Sequence, residues 1–184
     1  MVAVNSPASV LSVHRAATHV FRKESVELIT LLEGQGVEGD AHCGVTVQHR
    51  SRVRADPSQP NLRQVHLIHA ELFADLAAAG YAVGPGELGE NITTTGLDLL
   101  ALPVGTRLAI GDAVLTVTGL RNPCQQINDF RAGLLGQVVR SAPDGGVVRL
   151  TGVMGIVSRG GEVRPGQSIQ VERPAPPHYP LTRV

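Results

Sequence analysis

Short runs of valine, isoleucine, leucine and threonine, cut every few residues by glycine or proline, constrain this chain most. The 21 glycines and 12 prolines are scattered over 184 residues rather than gathered into linkers. Each run is too short for a helix of several turns, and β-branched residues suit the pleated surface of a sheet. The fold class this predicts is mostly β, a β-rich α+β domain with a few peripheral helices. Val10 to His14 and Val26 to Leu32 read as early strands. Thr106 to Ile110 and Ala113 to Thr118 flank Gly111-Asp112, a Gly-X pair of the kind that closes a two-residue hairpin. Leu108, Ile110, Leu115 and Val117 alternate with less apolar neighbours there, giving the hairpin one buried face. Val147 to Leu150 and Val153 to Val157 read as another pair, and Ser168 to Val171 as the last strand, with turns at Gly160-Gly161 and Pro165-Gly166.

Helix is the minority. Ile68, Leu72, Phe73 and Leu76 share one helical face, Glu71 and Asp75 the other, and Gly80 is placed to end that helix. Arg54 to Pro60 lacks periodicity and reads as an exposed loop. The expected organisation is one domain over residues 1–174 and a proline-rich tail over 175–184 that adds little to the core.

The composition argues against several functions. Sixteen basic residues balance sixteen acidic ones, so bulk electrostatics favours neither nucleic acid nor a membrane surface. Aromatics are 3% and tryptophan is absent, which leaves no stacking platform for single-stranded nucleic acid. No apolar run reaches the ~18–20 residues of a membrane span. Met1 to Val13 lacks a basic, then apolar, secretory pattern. The expectation is a soluble, cytoplasmic protein in which Cys43 and Cys124 are free thiols.

Arg121-Asn122-Pro123-Cys124-Gln125 is the stretch that points to chemistry. It follows a strand and precedes Ile127, Phe130, Leu134 and Leu135, which recur with helical spacing, although Gly133 and Gly136 weaken the continuation. Pro123 suits a first helical position, Asn122 an N-cap, and Gln125 a capping box. Cys124 is then expected on the first turn, where free N–H groups, the helix dipole and Arg121 favour a thiolate. A thiolate attacks sulfur or ligates a metal.

Two glycine-rich segments carry further candidates. Gly34 to Gly44 contains Gly39, Asp40 and His42, with Arg50 and Arg52 close behind, and its backbone N–H groups suit a bound anion. Alone, it also reads as a polar surface turn, and it lacks the Gly-Lys-Ser/Thr ending of a P-loop. Gly84 to Thr93 contains Glu87, Glu90 and Asn91, whose amide both donates and accepts. His42, Cys43, His49, His66 and His69 crowd one quarter of the chain, but without the paired short spacings of structural zinc. His66-x-x-His69 is expected to straddle a strand-to-helix junction. No Gly-x-Ser-x-Gly elbow supports a serine hydrolase, and Cys43 reads as a buried or incidental thiol.

Taken in order, G-V-E-G-D-A-H-C-G, G-E-L-G-E-N-I-T-T-T-G-L-D-L-L, L-P-V-G-T-R-L-A-I-G-D-A-V-L-T-V-T, R-N-P-C and G-V-M-G-I-V-S-R-G-G-E-V-R-P-G-Q-S-I-Q-V resemble the MOSC domain family. That family is named from the C-terminal domain of molybdenum cofactor sulfurases. The resemblance spans about Val10 to Val171 and implies a β-barrel-like fold and molybdenum-cofactor (molybdopterin) chemistry centred on Cys124. It leaves open whether Cys124 ligates molybdenum or carries sulfur as a persulfide. It maps Asp40, His42 and Asn91 onto pocket positions, and Gly39, Arg50, Arg121 and Asn122 accompany them as candidate cofactor-binding residues. Some relatives reduce N-hydroxylated compounds, so the implied partner is an external electron-transfer protein or, for sulfur transfer, a cysteine desulfurase. The chain has no room for the pyridoxal-phosphate domain of full sulfurases and no cysteine-rich iron–sulfur module. A non-catalytic binding module is the remaining alternative.

Overall fold

The computed structural model describes residues 7–184. Residues 1–6, the start of the stretch inspected for a secretory pattern, lie outside the described residues. Strands β1 (Ser9–Arg15), β2 (Glu24–Val26), β3 (Ile29–Leu32) and β4 (Gly36–Val37) come first, followed by helix α1 (Arg50–Ala55). Strand β5 (Val65–His69), helix α2 (Glu71–Ala78) and strand β6 (Ile92–Thr95) form the middle. A hairpin of β7 (Arg107–Ile110) and β8 (Ala113–Leu120) leads to α3 (Gln126–Phe130) and α4 (Leu134–Val138). Strands β9 (Val139–Ser141), β10 (Val147–Arg149), β11 (Val153–Arg159), β12 (Gly161–Val163) and β13 (Ile169–Glu172) complete the order. The molecule is thus mostly β, as the run lengths require.

The hairpin forms where the alternation places it. Ile110 pairs with Ala113 and Leu108 with Leu115, leaving Gly111-Asp112 as the loop. Gly111 takes φ +57°, the sign that the first central position of such a turn demands. Leu108, Ile110, Leu115 and Val117 are all buried in one apolar cluster.

Eight strands form the main sheet in the order β13-β7-β8-β11-β5-β6-β1-β2. β5 and β6 are parallel, and α2 lies in the crossover between them. The sheet curls towards closure: Ile169 N–H donates to Ala8 O at 2.8 Å and Val10 N–H to Gln167 O at 2.9 Å, joining the approach to β13 with β1. Leu67 of β5 faces the apolar cluster inside the sheet, whereas Ile68 faces a second cluster with Leu72, Phe73 and Leu76 of α2 and Ile127 and Leu134. Ile68 therefore shares the expected apolar face but contributes to it from a strand. Gly80, at φ +89°, ends α2 while Tyr81 N–H returns to Leu76 O at 2.8 Å.

Several boundaries differ from the sequence reading. Val26 to Leu32 is two strands, because β2 pairs with β1 while β3 pairs with β4 and β12. β10 and β11 do not pair: β10 joins β9, and β11 lies between β8 and β5. Gly161 begins β12 instead of completing a turn. Arg54 and Ala55 belong to α1, and both His66 and His69 lie within β5. The 175–184 stretch is tied along β8, with Leu120 N–H donating to Thr182 O at 2.8 Å and Leu181 packed on the core. Among the described residues no helix is long and apolar enough to cross a membrane.

Candidate functional site

Asp40 organises one side of the site. Its side chain is 2% exposed and receives Lys23 Nζ at 2.7 Å and Asn91 Nδ2 at 3.0 Å on Oδ2, and His42 N–H at 2.9 Å on Oδ1. Burial alone would raise its pKa, but the bonds from His42 and Lys23 outweigh that and hold the carboxyl well below the usual range. Asn91 also donates to His14 O at 3.2 Å and accepts from His66 N–H at 3.2 Å, tying β1 to β5. Gly39, at φ +74°, supplies the left-handed turn that delivers Asp40 inward. His42 Nδ1 lies 3.2 Å from Asp40 Oδ1, and its ring is 5.0 Å from that of His19 and 6.5 Å from that of His49.

Above this node opens a cavity of about 590 Å³. His42, Arg50, Asn91, Arg121, Asn122 and Cys124, all expected from the sequence, line it. Asp40 and Gly39 do not: Asp40 lies beneath the lining, and Gly39 sits next to Arg15. Lys23 and Arg63 also line the cavity, and nothing in their sequence surroundings marked them. Both converge through sheet topology, Lys23 from just before β2 and Arg63 from just before β5. A larger, more open depression of about 910 Å³ adjoins the cavity at Phe21, Lys23 and Gln126, but it contains no thiol and mixes Arg22 with Glu87 and Asp129.

Cys124 reaches the cavity by a different local structure from the one expected. α3 starts at Gln126, its N-cap is Gln125 in a helical conformation, and no side chain caps it. Cys124 O accepts from Ile127 N–H at 3.1 Å, so the thiol sits on a tight turn ahead of a five-residue helix. Neither the Asn122 cap nor the capping box forms, and so short a helix gives little dipole support. The neighbouring cation is in place. Arg121 N–H donates to Gly152 O at 3.1 Å as β8 ends, and its side chain is carried into the same cavity as Cys124. Cys124 Sγ donates to Gln126 Oε1 at 3.4 Å and the residue remains partly exposed.

The electrostatics of the lining are one-sided. Lys23, Arg50, Arg52, Arg54, Arg63 and Arg121 face the cavity, and no Asp or Glu does. Lys23 is matched by Asp40, but none of the five arginines forms an ion pair among the described residues. Arg121 is 8% exposed, and its Nη1 is buried without a hydrogen-bond partner. Burial, then Arg52 and Arg121, lower Arg63 to about 10, with Cys124 opposing. His49 falls to about 4 through burial and the adjoining Arg63, and burial also keeps His66 neutral, with its Nε2–H donating to Thr151 O at 2.7 Å. Such a wall fits an anion. A reachable sulfur beside it fits a soft metal or a sulfur-transfer partner. Among the described residues no three His, Cys, Asp or Glu side chains converge as a metal-holding group.

Comparison with known proteins places this architecture. The model of the MOSC domain matches residues 40–170, from the Asp40 node to the last strand. The chain belongs to the MOSC domain family. The matched span includes Asp40, His42, Asn91, Arg121 and Cys124, while Lys23 and the other lining residues before Asp40 lie ahead of it. The crystal structure of the YuaD protein from Bacillus subtilis is similar, at 24% identity and a TM-score of 0.73, covering 92% of this chain and 98% of that one. YiiM from Escherichia coli gives 19% identity and a TM-score of 0.62, covering 95% of this chain and 73% of that one. YiiM from Geobacillus stearothermophilus gives 16% and 0.62, covering 91% and 76%. At these identities the likeness carries the MOSC fold alone. Among curated proteins nothing matches.

Proposed function

We propose that the cavity binds the molybdenum cofactor, with Cys124 as the protein's sulfur donor to the metal. The observation that carries this reading is the placement of a reachable thiol and a buried, unpartnered guanidinium on one carboxylate-free cavity. Membership of the MOSC family supplies the class of ligand. The residues fit it: arginines suit a phosphate tail, and a thiol suits molybdenum. Arg50, Arg52 and Arg54 of α1 would hold the phosphate, while Asn122 and Asn91 offer amides for orientation. When bound, the cofactor supplies two-electron oxygen-atom chemistry, here the reduction of N-hydroxylated compounds with electrons from an external protein. The Asp40 node keeps Asn91 and His42 at fixed angles to the cavity.

Protein purified from a host that makes the cofactor is expected to contain near-stoichiometric molybdenum, and Cys124→Ala to lose it. Elemental analysis of the two side by side decides the point, and a metal-free wild type defeats the reading.

A second reading makes Cys124 a persulfide carrier loaded by a cysteine desulfurase. It is favoured by the partly exposed sulfur, whose one hydrogen bond is to the flexible Gln126 side chain. Incubation with a desulfurase and cysteine should then add one sulfur to Cys124 and none to Cys43, read by mass spectrometry. A Cys124 that never loads removes this second role.

A further inference from the structure

We infer that Arg63 and Arg121 form an anion subsite beside Cys124, so that the small molecule meeting that sulfur carries a carboxylate or an oxyanion. The inference deepens the proposed use of the cavity, but it concerns a subsite separate from the α1 arginines assigned to the phosphate.

Three observations converge on it. Arg121 is 8% exposed, lines the cavity and leaves Nη1 with no partner among the described residues. A buried guanidinium without an acceptor is costly, and a ligand oxygen relieves that cost. Next, the charges acting on Arg63 are Arg52, Arg121 and Cys124, with no carboxylate among them. The sulfur and the two guanidiniums therefore share one neighbourhood; the buried Glu90 also acts on Arg121 from behind the wall, but no carboxylate enters the lining. Last, His49 beside them is held neutral by burial and by Arg63, so it adds a polar ring without a compensating charge. Lys23, by contrast, already has its carboxylate at 2.7 Å and is removed from the tally.

A planar guanidinium pair matches a carboxylate or oxyanion through paired N–H donors. A neutral hydroxylated substrate would leave both arginines unmatched. The subsite thus selects among substrates by charge at the point nearest the reacting sulfur.

The test uses the ligand-free protein and does not depend on molybdenum. Iodoacetate and iodoacetamide both alkylate a thiolate, forming an S–C bond and releasing iodide, but only iodoacetate carries a carboxylate. Cys43 serves as an internal reference, because burial and the adjoining Asp40 and Glu38 push its thiol up and its surroundings repel anions. Rates at each cysteine are read by mass spectrometry. The expected iodoacetate-to-iodoacetamide rate ratio at Cys124 exceeds that of free cysteine by about tenfold, equivalent to ~1.4 kcal/mol. Modification by iodoacetate should saturate, and inorganic phosphate or acetate should protect Cys124 competitively.

Arg63→Gln should bring the ratio down to that of free cysteine, Arg63→Lys should retain part of it, and Arg140→Gln, at an exposed position outside the cavity, should leave it unchanged. A wild-type ratio no higher than that of free cysteine, or one that never saturates, overturns the subsite. So does an equal loss with Arg140→Gln, which would mean a diffuse field. A molybdenum-free protein that passes this test keeps the subsite while the cofactor reading falls.

Discussion

Two charged regions meet at the cavity and are built on opposite principles. Around Asp40 every charge is answered: Lys23, Asn91 and the His42 backbone all donate to one buried carboxylate. Around Cys124 the charges are left open, with the half-buried Arg63 and the buried Arg121 on one cavity and no carboxylate in the lining. The first region contributes order to the folded chain. The second accepts a cost in the folded chain that a ligand can relieve. A self-contained network and an unanswered one, side by side, mark which wall is scaffold and which is site.

This contrast is broken or sharpened by substitutions that should act with opposite sign. Asp40→Ala leaves the Lys23 ammonium buried without its partner, so denaturant unfolding should show a loss of about 3–5 kcal/mol. A loss well under 1 kcal/mol would mean that the node is not structural.

Acidification comes next in size. His14 is neutral in the fold, lowered to about 4 by burial and by Lys23, against 6.5 in the unfolded chain. Its contribution is complete above pH 6.5 and fades as the pH falls from 6.5 towards 4, by an amount on the order of 1–3 kcal/mol. The depressed carboxyl of Asp40 adds a further loss below about pH 4, where the unfolded chain takes up the proton first. Glu90, pushed up by burial, works in the opposite direction over the acid range. Stability should therefore fall in two stages on acid titration followed by circular dichroism, and in Asp40→Asn the lower stage should shrink.

The smallest effect carries the opposite sign. Arg121→Met removes a buried charge that has no partner, so the ligand-free protein should gain about 1 kcal/mol. Its melting temperature should also respond less than that of wild type to added acetate, while the response to phosphate held by the α1 arginines persists. A variant less stable than wild type would place Arg121 in the scaffold instead.

How much of this was legible in the sequence depended on whether the signal was local. The Gly111-Asp112 hairpin was, because turn chemistry and period-2 alternation both lie within thirteen residues of chain. Val26 to Leu32 was not, since an unbroken β-prone run carries no mark of the two different sheets it joins. Cys124 lines the cavity, but not by the local structure its neighbours suggest. The Asn-Pro-Cys-Gln pattern satisfies the residue preferences of a helix start, yet the chain makes a tight turn first and begins α3 at Gln126. The cationic wall was legible only in part. Arg50, Arg52 and Arg121 stood out beside the glycine-rich loop and the cysteine, whereas Lys23 and Arg63 are carried to the cavity from just ahead of β2 and β5, which no local pattern marks. With equal numbers of acidic and basic residues, the composition conceals a cavity lined by one sign.

The stretch at 182–184 works as a clasp on the strand that delivers Arg121. Thr182 O accepts from Leu120 N–H at 2.8 Å, and Val184 N–H returns to Leu120 O at 3.2 Å, one residue before the guanidinium. A side chain at Gly119 would collide with Thr182 O, so glycine lets the clasp lie flat against β8. Gly119→Ala should push the clasp off β8 and loosen the strand end that carries Arg121 into the cavity.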